Sequence, residues 1–269
     1  MHKIKAFLYF LKTIYQQRYV IKKLVQRDFS KKYLGSYLGV LWAFLEPVAF
    51  ILAIWFVVSI GLRGGARDGI AFLPWFVSAM IPWFFIRDAW NSASGSLNEY
   101  AFLIKKMYFR VGIIPIIKIT TLLLVNLFMM GVLVLILMLY GFYPTIFWLQ
   151  IPYYLLCSLV LVIGLGWLSS ALTVFVKDVR YVINVITTLL FWLSAIIWPH
   201  ERLEGNLRYL VDLNPVFYVT NGFRETFIHG KWFYEQINLV LYFWFVAMFF
   251  FVVGAYVFQK LKPHFADVL

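Results

Sequence analysis

Charge is what this 269-residue chain has least of: Asp, Glu, Lys and Arg make up 13% of it, about half the roughly 25% usual in a soluble domain. With 63% hydrophobic and 21% aromatic residues, that deficit excludes an ordinary soluble fold and points to a polytopic membrane protein. Spans and short connections use up the length, leaving no room for a separate soluble catalytic domain. Cysteine is scarcer still. Cys157 stands alone, which rules out an internal disulfide and, in an apolar run, reads as packing. His2, His200, His229 and His264 are scattered without metal-ligand spacing, and nothing resembles a nucleophile elbow. No GxxxxGK followed by Ser or Thr occurs, so a P-loop in this chain is excluded. Neither enzyme chemistry nor a metal or cofactor of its own is expected.

Acidic residues are outnumbered 12 to 24 by basic ones, for a net charge of +12. Their distribution argues against nucleic acid. Nine of the 24 Lys and Arg lie in the first 32 residues, beside a membrane, where attraction to an anionic cytoplasmic leaflet and orientation by the positive-inside rule account for them. AFLYFL after Lys5 is too short for the core of a signal peptide and no small-residue cleavage site follows, so the basic N-terminus is expected to stay in the cytoplasm.

Along the chain, Ile4, Phe7, Leu8, Leu11 and Tyr15 form a helical stripe with lysines on other faces. That suits an amphipathic helix over 1–30, lying in the membrane interface or covering the chain's own core. Residues 31–269 form one transmembrane domain. Its six apolar stretches are Gly39–Ile60, Ile70–Ile86, Ile119–Tyr140, Ile146–Val176, Tyr181–Trp198 and Ile237–Phe258, each near the roughly 17–25 residues a spanning helix needs. Pro47, Pro74, Pro82 and Pro152 are expected to kink them. Lys105, Lys106, Arg110 and Lys118, then Lys177 and Arg180, then Lys260 and Lys262 place those connections and both termini in the cytoplasm. The fold expected is thus all-α, with six spans.

Two connections carry more than a turn. Ser96-Leu97-Asn98-Glu99 fits a capping box that would start a basic helix over about 96–110, either docking into a partner's groove or lying on lipid headgroups. In the connection 199–236, Asn214-Pro215 reads as a helix start that stops at Gly230, giving short re-entrant or interfacial helices, or a lid. Glu46 lies about 10 Å into the first span at the usual rise. A charge there faces a partner or a wet cavity, so an Arg87–Glu46 pair is expected, functional or merely locking two helices. The many aromatics serve interface belts, packing, or a pore whose rings stack on the C–H faces of sugars.

RDFSKKYLGSYLGVLWAFLEPV from Arg27, SLNEYAFLIKKMYFR from Ser96, FVKDVR from Phe175 and LNPVFYVTNGFRETFI from Leu213 together resemble permeases of the type-2 ABC exporter family. Within it they look most like subunits exporting polyprenyl-linked polysaccharides. The resemblance covers about Arg27 to Lys262. It implies a homodimer with two separate ATP-binding subunits that hold ATP and Mg, in a bacterial cytoplasmic membrane. Coupling to those subunits would fall to Glu99, Lys105, Lys106, Tyr108, Phe109, Arg110, Lys177, Asp178 and Arg180. The substrate path would involve Tyr37, Trp42, Glu46, Trp83, Arg87 and Trp90, and the outer gate Asn214, Pro215, Phe223, Arg224 and Glu225. Export of wall teichoic acid is the favoured expectation, on the overall look of the sequence and, weakly, its positive balance. O-antigen or capsular polysaccharide export is the alternative. A channel or secondary carrier independent of ATP is a second; a lipid-modifying enzyme would need clustered acidic or His residues, which are not found.

Overall fold

The computed structural model describes residues 17–33, 37–62, 69–106, 110–200, 203 and 205–269. The stripe from Ile4 to Tyr15 therefore lies outside the described residues. Helix α1 (Arg18–Tyr33) follows it and runs past residue 30, so the boundary expected there falls inside a helix. Its Val25, flanked by Ile21 and Leu24, seats on Ile113 and Ile117. Residues three and four apart share a helix face, so two matching stripes join here.

Four segments are long and apolar enough to cross a membrane: Gly39–Gly61, Ile113–Leu139, Ile146–Phe175 and Phe233–Val268. They contain α2 (Trp42–Trp55, continued by a π turn to Gly61), α6 (Ile113–Leu139), α7 (Ile151–Phe175) and α11 (Ile237–Leu261). The other two expected spans correspond to α3 (Phe72–Ser94), 23 residues, and α8 (Val179–Leu193), 15 residues. Between and around them lie α4 (Ser96–Glu99), α5 (Ala101–Lys106), α9 (Asn206–Asp212), α10 (Pro215–Arg224) and α12 (Phe265–Val268).

Helix α3 is the buried centre. Eighteen of its residues, including Trp75, Phe76, Trp83 and Trp90, are buried among α6, α7 and α10. Its Pro, Trp, Arg87 and Asp88 dilute its hydropathy although it is the most enclosed of the long helices. By contrast α2 buries only Ala43 and Ile51, and α8 only Ile183 and Thr187. Their remaining apolar faces are exposed, the pattern of helices that meet lipid or another chain.

Several expectations need correcting. Helix α6 starts at Ile113 rather than Ile119 and takes in Pro115 and Lys118. Pro152 occupies the first turn of α7, where its missing N–H costs nothing, so it makes no kink. Pro47 and Pro82 do lie inside α2 and α3. The fifth run stops as a helix at Leu193, five residues short of Trp198.

The connections read as cytoplasmic share one end of the bundle. Leu97, Val111 and Ile114 pack there with Trp167, Ala171 and Val174 of α7, Phe258 of α11 and Phe265 of α12. Trp167 Nε1 donates to Gly112 O at 2.9 Å across this cluster. At the other end Ala195, Val211 and Phe217 form a separate small core with Trp198 and Leu203.

Candidate functional site

Lys118, in the second turn of α6, gathers the first shared end. Its ammonium donates to Asp28 Oδ1 of α1 at 2.5 Å and to Glu99 Oε2 of α4 at 2.8 Å. The Tyr100 hydroxyl donates to the same Asp28 oxygen at 3.2 Å, and its ring centroid lies 5.4 Å from Nζ. Side-chain exposure is 8% for Lys118, 6% for Asp28 and 39% for Glu99. The Lys118–Asp28 pair is therefore withdrawn from water, and Glu99 closes its outer edge. Burial, and then the Asp28 charge, push the Tyr100 phenol above its ordinary range, which keeps it a donor. One cation thus ties the N-terminal helix and the 96–106 segment to a long apolar helix.

This arrangement replaces the expected capping box. Ser96 is buried and its Oγ donates back to Ala93 O at 2.6 Å, while Glu99 is taken by Lys118. Without that reciprocal cap the predicted 96–110 helix is split. Helix α4 ends at Glu99, Tyr100 is non-helical, and α5 restarts at Ala101.

Arg180 lies against this segment, since a Cβ on Gly95 would sit 2.9 Å from Arg180 Cζ. The 177–180 turn and the 96–106 segment therefore form one continuous surface. Lys105, Lys177, Asp178 and Arg180 are exposed on it and Arg110 is half-buried. Lys106 ends α5, and Tyr108 and Phe109 lie outside the described residues.

The substrate-path candidates divide. Trp42, Glu46 and Arg87 line one cavity between α2, α3 and α6, with Lys32 and Asn126 among its other walls. The expected Arg87–Glu46 pair is absent. Arg87 Nε instead donates to Asp88, the next residue of the same helix, at 2.7 Å. Trp83 and Trp90 are buried in the core of the single chain. Tyr37 is fully exposed.

Arg224 is the polar centre of the opposite end. Only 2% exposed, it donates from Nε to Trp75 O at 3.3 Å, from Nη2 to Ala195 O and Ile196 O at 3.3 and 3.2 Å, and from Nη1 to Asn221 Oδ1 at 3.4 Å. Its Cζ stands 3.5 Å from the Trp75 ring centroid. Ala195 has φ 48°, a left-handed conformation uncommon for a non-glycine residue. The chain bends there once α8 has ended, and Arg224 supplies donors to carbonyls no longer held in a helix. That is why the fifth run stops short. Sequence pattern marks Arg224 but not Ala195 or Ile196, which offer it only backbone oxygens, nor its pairing with Trp75, which gives both a carbonyl and a ring face.

The helix start at Asn214 is present. Its Oδ1 accepts from Val216 N at 2.9 Å, Pro215 follows at the first helical position, and Gly230 closes the π turn after α10 with φ 63°. Asn214 Nδ2 also donates to Ser194 Oγ at 2.8 Å. Phe223 is buried, and Glu225 lies 3.2 Å from Lys231. Asn214→Ala is expected to destabilise the protein by about 1–2 kcal/mol, through the lost cap and the Ser194 contact. Asn214→Asp should recover part of this, because it keeps the capping acceptor. Thermal unfolding followed by thiol labelling of the buried Cys157 measures both; equal melting of wild type and Asn214→Ala would refute the cap's role.

Among the described residues no group of three His, Cys, Asp or Glu could hold a metal ion. The family model described as "ABC-2 type transporter" matches residues 19–228. Two proteins from Klebsiella pneumoniae, each named O-antigen export system permease protein RfbA, are 25% identical over 263 residues, covering 96% of this chain and 99% of their own. A protein of the same name from Myxococcus xanthus is 23% identical over 224 residues, covering 82% of this chain and 85% of its own.

Proposed function

This chain belongs to the ABC-2 type transporter family, and from that premise we propose that it is the membrane-spanning permease of an ATP-driven exporter of lipid-linked O-antigen polysaccharide. The observation that carries the reading is the nearly end-to-end alignment with permeases named for O-antigen export. This favours O-antigen over teichoic acid as the cargo, since only the overall look of the sequence and a weak charge argument stood behind teichoic acid. The family places the chain among transport permeases rather than enzymes.

In this reading α2, α3, α6, α7, α8 and α11 are six spans, and the end of the bundle holding Lys118 faces the cytoplasm. Two copies pair through exposed apolar faces such as those of α2 and α8, and two ATP-binding subunits carrying ATP and Mg dock below them. The surface formed by α5 and the 177–180 turn receives that subunit. Closure of the ATPases on ATP pushes α5. Through Glu99, Lys118 and Asp28 the push reaches α6 and α1 together, because one ammonium joins all three elements. The glycan then passes between the copies, and the Arg224 bend shapes the outer exit.

Tagged chain extracted gently from its own membrane should bring down a P-loop ATPase at one copy per permease. Reversing Lys105 and Lys177 together to Glu should reduce that recovery about tenfold, the ratio for roughly 1.4 kcal/mol lost at a charged rim. Loss of the chain in cells should trap polyprenyl-linked glycan on the inner leaflet. An intact, folded chain that repeatedly purifies without an ATPase would overturn the reading in favour of a channel or carrier. A trapped polyol-phosphate polymer would instead restore teichoic acid as the cargo.

A further inference from the structure

The cavity between α2, α3 and α6 has about 250 Å³ of free space, below the roughly 300–1,000 Å³ of sites for drug-sized ligands. It suits one small ring rather than an oligomer. Its charged walls are Lys32, Arg87, Glu46 and Asp88, two cations against two carboxylates. Arg87 and Asp88 are paired with each other at 2.7 Å. The pocket thus offers no excess of positive charge for a phosphate.

What it offers instead is acceptors. Glu46 makes no ion pair or hydrogen bond among the described residues, in a helix otherwise devoid of charge. Asn126, 4% exposed, spends Nδ2 on Ile81 O at 3.0 Å and leaves Oδ1 without a donor. Both residues line the cavity: Asn126 Oδ1 is a buried acceptor still short of a donor, and Glu46 is an exposed carboxylate free to accept, so an occupant that brings hydroxyl groups suits them. Beside them Trp42 is 49% exposed and presents an aromatic surface to the same space. Hydroxyl edges with an apolar C–H face describe a neutral sugar ring.

We infer that this pocket within a single copy of the chain binds one neutral glycosyl unit of a glycolipid, with Glu46 and Asn126 accepting from its hydroxyls and Trp42 stacking on its face. The inference rests on the exporter reading for its substrate class, and places a sugar, rather than the phosphate linkage, at the first contact.

The test uses the full chain with whatever partner co-purifies, in nanodiscs. Two photoreactive probes share one alkyl tail carrying the same diazirine beside the headgroup, which is β-glucoside in one and phosphate in the other. The glucoside probe should label the Trp42–Pro47 and Phe84–Asp88 segments, mapped by mass spectrometry, more strongly than the phosphate probe does. Glu46→Gln should lower glucoside labelling about tenfold, the ratio for roughly 1.4 kcal/mol from one hydrogen bond to a charged acceptor. Trp42→Ala should lower it as well. Both positions are exposed, so these variants fold, and unchanged melting verifies it. Equal or stronger labelling by the phosphate probe, or glucoside labelling unaffected by both substitutions, would overturn the assignment. ATPase recovery is scored on the same preparation. Recovery without glucoside labelling removes the pocket alone, whereas labelling without any ATPase removes the exporter reading and keeps the sugar site.

Discussion

Lys118→Met is expected to destabilise the folded chain by about 3–5 kcal/mol, the range for breaking a buried ion pair from one side. The reason is what stays behind. Asp28, with 6% of its side chain exposed, would keep its charge in a site from which its cation has gone, with the Tyr100 hydroxyl the one side-chain donor left to it among the described residues. Methionine fills the volume, so the loss isolates charge from packing. Glu99→Gln supplies the contrast. With 39% of its side chain exposed, Glu99 is screened by water, and removing its charge should cost no more than about 1 kcal/mol. Asp28→Asn combined with Lys118→Met should recover much of the single-variant loss, because no lone charge remains. Melting of the purified chain, read by exposure of Cys157, orders the four proteins. A Lys118→Met protein as stable as wild type would mean that the ionic cluster holds nothing together. If stability falls but the partner ATPase still turns over coupled to export, the cluster is structural and transmits no motion.

The existence of the long helices was legible because apolar runs of spanning length leave few other structures possible in lipid. Their ends were not. Lys118 carries a positive charge, which hydropathy assigns to a loop, yet its partners lie 90 and 19 residues away in sequence. Nothing local announces that a helix has arranged to bury it. The same blindness lengthened the fifth span. Residues 194–198 read as apolar, but their conformation depends on donors from Arg224, which sequence separates from them by almost thirty positions. Asn214 was readable because a cap is local, set by Asn, Pro and the bonds of one turn. The capping box at Ser96 looked equally local and was not formed, since both of its side chains had stronger tertiary or backbone partners. Of the candidate site, residue types were legible and pairings were not. Glu46 was marked by its depth, but Asp88 claimed Arg87.

Gly254→Leu is expected to abolish the folded protein, and Gly254→Ala to lower its melting temperature by several degrees. A Cβ on Gly254 would lie 2.2 Å from Gly164 O, and one on Gly164 would lie 2.6 Å from Phe251 N. Both obstacles are backbone, so no rotamer change relieves them and α7 and α11 must separate. That interface carries the C-terminal helix, with Trp167 and Phe251 at 5.2 Å beside it. Against the clash stands the intrinsic gain from Gly to Ala inside a helix, about 0.8–1.0 kcal/mol. Overpacking costs typically about 1–3 kcal/mol, and close contact is what holds helices together in lipid, where apolar burial gives no further drive. The clash therefore wins. Gly131 in α6 provides the control, because a Cβ there would meet nothing within 4 Å. Gly131→Ala should be neutral or raise stability by up to about 1 kcal/mol, so the two Gly→Ala changes differ in sign. The same Cys157 assay reads both in one detergent. If Gly254→Ala melts at or above the wild-type temperature while Gly131→Ala does not rise, the close approach of α7 and α11 is not what stabilises the bundle.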